Sequence, residues 1–203
     1  VQIPTLKRLE LCLQYGANIN LKVSHPVDPF HNTALHLLIA NECENTAVEF
    51  LELAKKYNIK IDFNITDRQK KTTLILACKM RAEKIALALL AEKIAGADLN
   101  VNIADDLGNT ALHYACAYGM KKVAETLIAL NANINIKNIR NRTAIDMTNM
   151  TADELNELLK TVEINGERDE NAVCNIVLDT NHQPLLVRNT GTLQASRIPS
   201  LKK

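Results

Sequence analysis

The chain contains no tryptophan, and aromatic residues make up only 3% of its 203 positions. A core built on large rings is therefore excluded, and one of Leu, Ile and Ala between short helices is expected. Glycine is scarce at six residues, and there is no HExxH, GxGxxG or P-loop pattern. Loops that cradle phosphate, and the commonest hydrolytic motifs, are thus missing. No apolar run approaches the ~18 residues of a membrane span. The formal net charge is only +1, so no global attraction draws the chain to nucleic acid or a membrane surface.

The five cysteines, 12, 43, 78, 116 and 174, form no CxxC clip and no other metal-ligand spacing. They read as small thiols in a reducing compartment. No cofactor is expected.

What is present is a repeat. Thr110-Ala-Leu-His113 recurs as Thr33-Ala-Leu-His36, more loosely as Thr72-Thr-Leu-Ile75, and again as Thr143-Ala-Ile-Asp146. The starts lie 39, 38 and 33 residues apart. Five residues before each Thr stand Asp28, Asp67, Asp105 and Asn138, each preceded by an Asn-rich segment such as Gly96-Ala-Asp-Leu-Asn-Val-Asn102 or Asn131-Ala-Asn-Ile-Asn135. Self-similarity at a period of roughly 20–50 residues marks a stacked-repeat protein.

The physics of one unit can be read from Asp105 to Lys137. Thr110 stands where its hydroxyl can cap a helix start. Leu112, Ala115 and Cys116 share one helical face. A second helix is expected over Lys121–Leu130, with Val123, Leu127, Ile128 and Leu130 inward. Gly108 is expected at positive φ in the turn between units. A helix pair of this kind cannot bury both faces, so neighbours must stack.

With Asp105, Gly108, Thr110-Ala-Leu-His113, Ala115, Gly119 and the Asn131–Asn135 segment, the interval resembles the ankyrin repeat. The resemblance covers roughly residues 5 to 160. It implies an all-α repeat solenoid of helix-turn-helix units with β-hairpin turns. The expected divisions are a partial repeat at 1–27, repeats at 28–66, 67–104 and 105–137, and a capping repeat at 138–163.

The flanking segments follow from local signals. Leu6, Leu9 and Leu13 form the inward face of a first helix that Gly16 ends. His31 and Lys70 replace the turn glycine, and Glu42 the mid-repeat glycine. Because Lys tolerates positive φ poorly, the turns at His31 and Lys70 are expected to depart from the ideal hairpin. The two longer units are expected to extend their second helices, with Val48, Leu51 and Ala54, then Ile85, Leu89 and Leu90, inward. Thr151-x-x-Glu154 is a capping-box pattern that opens a helix through Leu155, Leu158 and Leu159.

Residues 164–203 form a C-terminal β-hairpin-like segment and basic tail. Ala172–Leu178 reads as a strand, Asp179–Pro184 as a turn and Leu185–Val187 as a second strand. The segment either packs on the array or begins another domain. The chain opens mid-repeat and reads as part of a larger protein.

No enzyme is expected in these residues. The resemblance makes His36 and His113 structural braces of the turns, and Ile75 and Asp146 stand in their place elsewhere. Cys174 and His182 read as a strand thiol and a turn imidazole rather than a catalytic pair.

Carrying the family's variable contact positions across gives a protein-binding surface on the turn tips and the concave side of the first helices. Its residues are Phe30, Asn32, Arg68, Lys71, Lys79, Met80, Leu107, Asn109, Tyr118, Ile139, Arg140 and Arg142. Pro29, Asn41, Gln69 and Asp106 flank them. Phe30, Leu107 and Ile139 are apolar tips of the kind that mark a contact surface, and an aromatic such as Phe30 or Tyr118 suits an anchor. The cluster Arg68, Lys70, Lys71, Lys79 and Arg81 points to an acidic patch on the partner.

The expected function is that of a protein–protein interaction module, monomeric and cytoplasmic. The alternative is a substrate-docking or targeting arm of a larger enzyme. A nucleic-acid role through the basic unit conflicts with the near-zero charge. Divergent, insertion-bearing arrays of this style resemble those of secreted effectors of intracellular bacteria. That resemblance would place the chain in host cytosol, acting on host proteins.

Overall fold

The computed structural model describes residues 5–22, 31–151 and 153–154, together with three short strands. The side chains of residues 5, 6 and 9 and of the strands lie outside that description, as do Leu155, Leu158 and Leu159 of the anticipated last helix.

Among the described residues, seven named α-helices form two layers. The inner layer holds α2 (Ala34–Ala40), α4 (Thr73–Lys79) and α6 (Ala111–Ala117), and ends in a single 3₁₀ turn at Ile145–Met147. The outer layer holds α1 (Thr5–Gln14), α3 (Glu44–Lys56), α5 (Glu83–Ile94) and α7 (Lys121–Ala129). Along each layer every helix packs on the next, α2 on α4 on α6 and α1 on α3 on α5 on α7.

The inner helices are alike because the same residues start and stop them. Thr33 and Thr72 accept the backbone N–H three residues on, that of His36 and of Ile75. Thr110 does the same within a capping box shared with His113. Each ends where Glu42, Arg81 or Gly119 turns left-handed, at φ 58°, 58° and 65°. The next N–H then reaches back to satisfy an orphan carbonyl, as Cys43 N does to Leu38 O (3.0 Å), Ala82 N to Ala77 O (2.9 Å) and Met120 N to Ala115 O (2.8 Å). The outer helices close the same way at Gly16, Asn58, Gly96 and Asn131.

The core is aliphatic, as the composition requires. Ile85, Ala86, Leu89 and Leu90 of α5 and Val123, Ala124 and Leu127 of α7 are wholly buried. Each large side chain so buried contributes roughly 1.5–3 kcal/mol relative to exposure. The anticipated inward residues of α3 hold for Leu51 and Ala54, while Val48 is half-buried and Phe50, not anticipated, lies at 2% exposure.

Between units the chain makes tight turns. In each, one carboxylate or amide oxygen gathers the amides two and four residues ahead. Asp67 Oδ1 accepts from Gln69 N and Lys71 N, both at 2.8 Å. Asp105 and Asn138 repeat this with Leu107 and Asn109, and with Arg140 and Arg142.

The expectation that Lys70 would spoil its turn fails. Lys70 adopts φ 56°, and Asp67 N still donates to Lys71 O at 2.9 Å, as Asp105 N does to Asn109 O. The left-handed strain, about 1–2 kcal/mol for a side chain with a Cβ, is offset by the two bonds to Asp67. His31 is likewise left-handed at φ 56°, but the start of its turn lies outside the described residues.

A second set of bonds joins the loops that follow the outer helices. Asn20 Nδ2 donates to Lys60 O (3.0 Å) while its Oδ1 accepts from Asp62 N (2.9 Å). Asn64 clasps Asp98 O and Asn100 N in the same manner. Asn102 clasps Asn131 O and Asn133 N. These are the Asn-rich segments of the sequence, and each amide side chain reads two backbone groups of the next unit.

Beyond the array, β1 (Cys174–Leu178) and β2 (Pro184–Arg188) pair antiparallel, with Cys174 opposite Arg188 and Leu178 opposite Pro184. A third strand, β3 (Ser196–Arg197), pairs with β2. It falls where the sequence suggested only a loose tail.

Candidate protein-binding face

The histidines of the repeat are built into the turns. His113 Nδ1 accepts from Thr110 N (3.1 Å), and its Nε2 donates to Arg142 O (3.2 Å) in the following turn. His36 Nε2 likewise donates to Lys71 O at 3.1 Å. The backbone N–H of Thr110 donating to Nδ1 thereby holds the His113 ring neutral, with its proton on Nε2. Asp146 does the near half of this work, accepting from Thr143 N and Thr143 Oγ1, both at 2.8 Å.

Burial pushes the pKa of His36 and of His113 below the ordinary imidazole value. The unfolded chain binds these protons near pH ~6.5, whereas the folded chain resists them. Stability is therefore complete above that pH and declines as the pH drops below it toward the folded-state values. We expect the urea midpoint to fall between pH 7.5 and 5.5. A flat or rising midpoint across that window would contradict the buried neutral rings.

Two thiols share the interior. Cys78 and Cys116 are fully buried, and desolvation lifts both to about 12. They are inert packing groups rather than nucleophiles. His182 lies outside the described residues, as do Phe30 and Pro29.

The turn tips are zipped to one another along the array. Asp106 N donates to Gln69 O (3.1 Å), and Ile139 N to Leu107 O (3.0 Å). This places the exposed side chains of Leu107 and Ile139 on adjacent tips, at 50% and 69% exposure. At the other end of the inner helices stand Lys79, Met80 and Tyr118, all exposed.

A stack of short helix pairs, with Thr-capped inner helices, His-braced turns and linked tips, is the arrangement the repeat resemblance implied. Residues 52–138 match the family model of ankyrin repeats, in three copies. Those residues are ankyrin repeats. Ankyrin repeats are protein–protein interaction modules, typically non-catalytic. Among the described residues no cluster of His, Cys, Asp or Glu could hold a metal ion, and no helix is long and apolar enough to cross a membrane.

Within the ankyrin array, some residues expected on the binding face are not accessible. Lys71 is 5% exposed. Its ammonium bonds Asp67 Oδ2 at 3.3 Å and also Gln69 Oε1. Asn109 is 6% exposed, and its Oδ1 accepts from Asn138 Nδ2 at 2.9 Å. Asn32 is 7% exposed. The Lys71 and Asn109 side chains serve the turns, and Arg142 is half-buried. Arg68, Lys79, Met80, Leu107, Tyr118, Ile139 and Arg140 are exposed.

The basic cluster is also smaller than the sequence suggested. Lys70 reaches Asp106 of the next tip at 3.7 Å. The Arg81 guanidinium lies over the Tyr118 ring, 4.5 Å from its centroid. The Tyr118 ring in turn stacks on Tyr114 at 6.3 Å and 21°. Tyr114, buried, donates its hydroxyl to Asp105 Oδ2 at 2.6 Å. Sequence reasoning missed this chain of contacts. Its one legible sign was the aromatic pair at i and i+4 in one helix.

Proposed function

We propose that the chain binds a protein partner through the turn tips and the exposed ends of the inner helices. The observation that carries this is the set of four large apolar side chains left in water there: Leu107, Ile139, Met80 and Tyr118. Exposed apolar groups on a rigid scaffold are the usual ground for recognition. Arg68, Lys79 and Arg140 border it with no ion pair among the described residues, which supports an acidic patch on the partner. The buried and exposed free thiols suit a reducing compartment such as the cytosol, and a single chain suffices to form the face.

Capture from lysate tests the reading. A Leu107→Asp, Ile139→Asp, Met80→Ala, Tyr118→Ala variant, with a melting curve like the parent's, is expected to lose the captured protein. An Ile94→Asp variant, altered at an exposed site on an outer helix, is expected to keep it. A protein held equally by all three would place binding elsewhere.

A further inference from the structure

Arg81 was expected only as one member of a basic cluster, yet it is the cation of that cluster held by an aromatic ring. Its guanidinium lies over the ring of Tyr118 in the next unit, 4.5 Å from the centroid. Tyr118 is itself stacked on Tyr114, whose hydroxyl is fixed by Asp105. Asp105 is fixed in turn by the amides of Leu107 and Asn109. The platform is therefore anchored to the backbone at its far end.

Stacking over an aromatic face uses the plane of a guanidinium and leaves its N–H edge available. Among the described residues no carboxylate lies within ion-pair reach of that edge. A guanidinium already held over a ring has less rotamer freedom left to lose on meeting a carboxylate, to which its fork can donate two parallel hydrogen bonds. Lys79 and the apolar Met80 stand immediately before it in sequence, both exposed. The local charge is positive, so the complementary segment is acidic.

We infer that Arg81 is the specificity-determining residue of the binding face, and that it takes an Asp or Glu side chain of an acidic peptide segment set beside an apolar residue. This rests on the reading of the face as a protein-binding surface.

The position also supplies a clean test. Arg81 has φ 58°, and the equivalent residue of the next unit is Gly119 at φ 65°. Arg81→Gly thus relieves backbone strain and is expected to fold. The experiment selects a displayed library of random linear peptides on the full 203-residue chain, then titrates a recovered synthetic peptide against the parent and variants.

Recovered peptides are expected to share an acidic residue next to an apolar one. Arg81→Gly is expected to weaken binding about tenfold or more with its melting temperature retained. Arg81→Lys, which keeps the charge but not the fork, recovers only part of that. Changing the shared acid of the peptide to its amide should weaken the parent complex but leave the Arg81→Gly complex unchanged, the coupling that a direct contact gives.

Peptides with no shared acid, or two substitutions whose effects simply add, would overturn the assignment. If those peptides still lose binding with Met80→Ala or Leu107→Asp, the face stands and only the Arg81 anchor fails. If they bind every variant equally, the face fails too. Recovery of no peptide would overturn the acidic-segment assignment while leaving the face to the lysate comparison.

Discussion

Gly108→Ala is expected to lower the stability of the array by about 3 kcal/mol, combining left-handed strain with overpacking. Gly108 has φ 74°, and a Cβ there would meet Asn138 Cα at 2.9 Å and Ile139 N at 3.2 Å. Those are backbone atoms of the next tip, which no rotamer change can clear. Relief requires the two tips to part, and with them the bond from Ile139 N to Leu107 O. Gly119→Ala is the internal control. Its φ is 65°, but nothing lies within 4 Å of the added carbon, so only the conformational cost of about 1 kcal/mol applies. In thermal melts the two should fall by about 6–12 °C and 2–4 °C respectively. Equal shifts would mean that the close approach of the tips contributes nothing.

Leu89→Ala should cost a similar amount, about 3 kcal/mol. Leu89 is wholly buried in α5, the helix that packs on α3 to one side and α7 to the other. Removing three carbons leaves a cavity that helices pinned from both sides cannot collapse. In a stacked array each unit is stabilised by its neighbours, so the loss spreads in both directions. Hydrogen exchange is expected to quicken in α3 and in α7 as well as in α5. Ile94→Ala, on the same helix but 67% exposed, should change stability by less than about 0.5 kcal/mol. A urea midpoint for Leu89→Ala within that margin would show that the site repacks freely.

Much of this architecture was legible because a few residues set it locally. Thr at a helix start, Leu and Ala at helical spacing, and Gly108 at a crowded turn act within their own segment. Their patterns survive translation from sequence to structure. The histidines were legible through the family resemblance, and their bonds to Lys71 O and Arg142 O are those of turn braces.

What escaped depends on contacts between units, where spacing along the chain says nothing. Lys71 looked like an exposed cation until the turn folded it against Asp67. Asn109 looked like a tip residue until Asn138 of the next turn bonded it. Lys70 was expected to break its turn because its own backbone preference was weighed without the two amides that Asp67 gathers. Arg81 and Tyr118 lie in different units, so their stack has no sequence signature at all.

The asparagine clasps explain how units of unequal length can stack on one another. The outer helices run to 13, 12 and 9 residues, while each inner helix holds to 7. Because Asn20, Asn64 and Asn102 grip the loops downstream of those outer helices, added residues are discharged into the outer layer before the chain is brought back into phase. The clasp acts as a gauge, resetting the chain's position once per unit. The outer layer can therefore change length between units while the inner helices keep seven residues each.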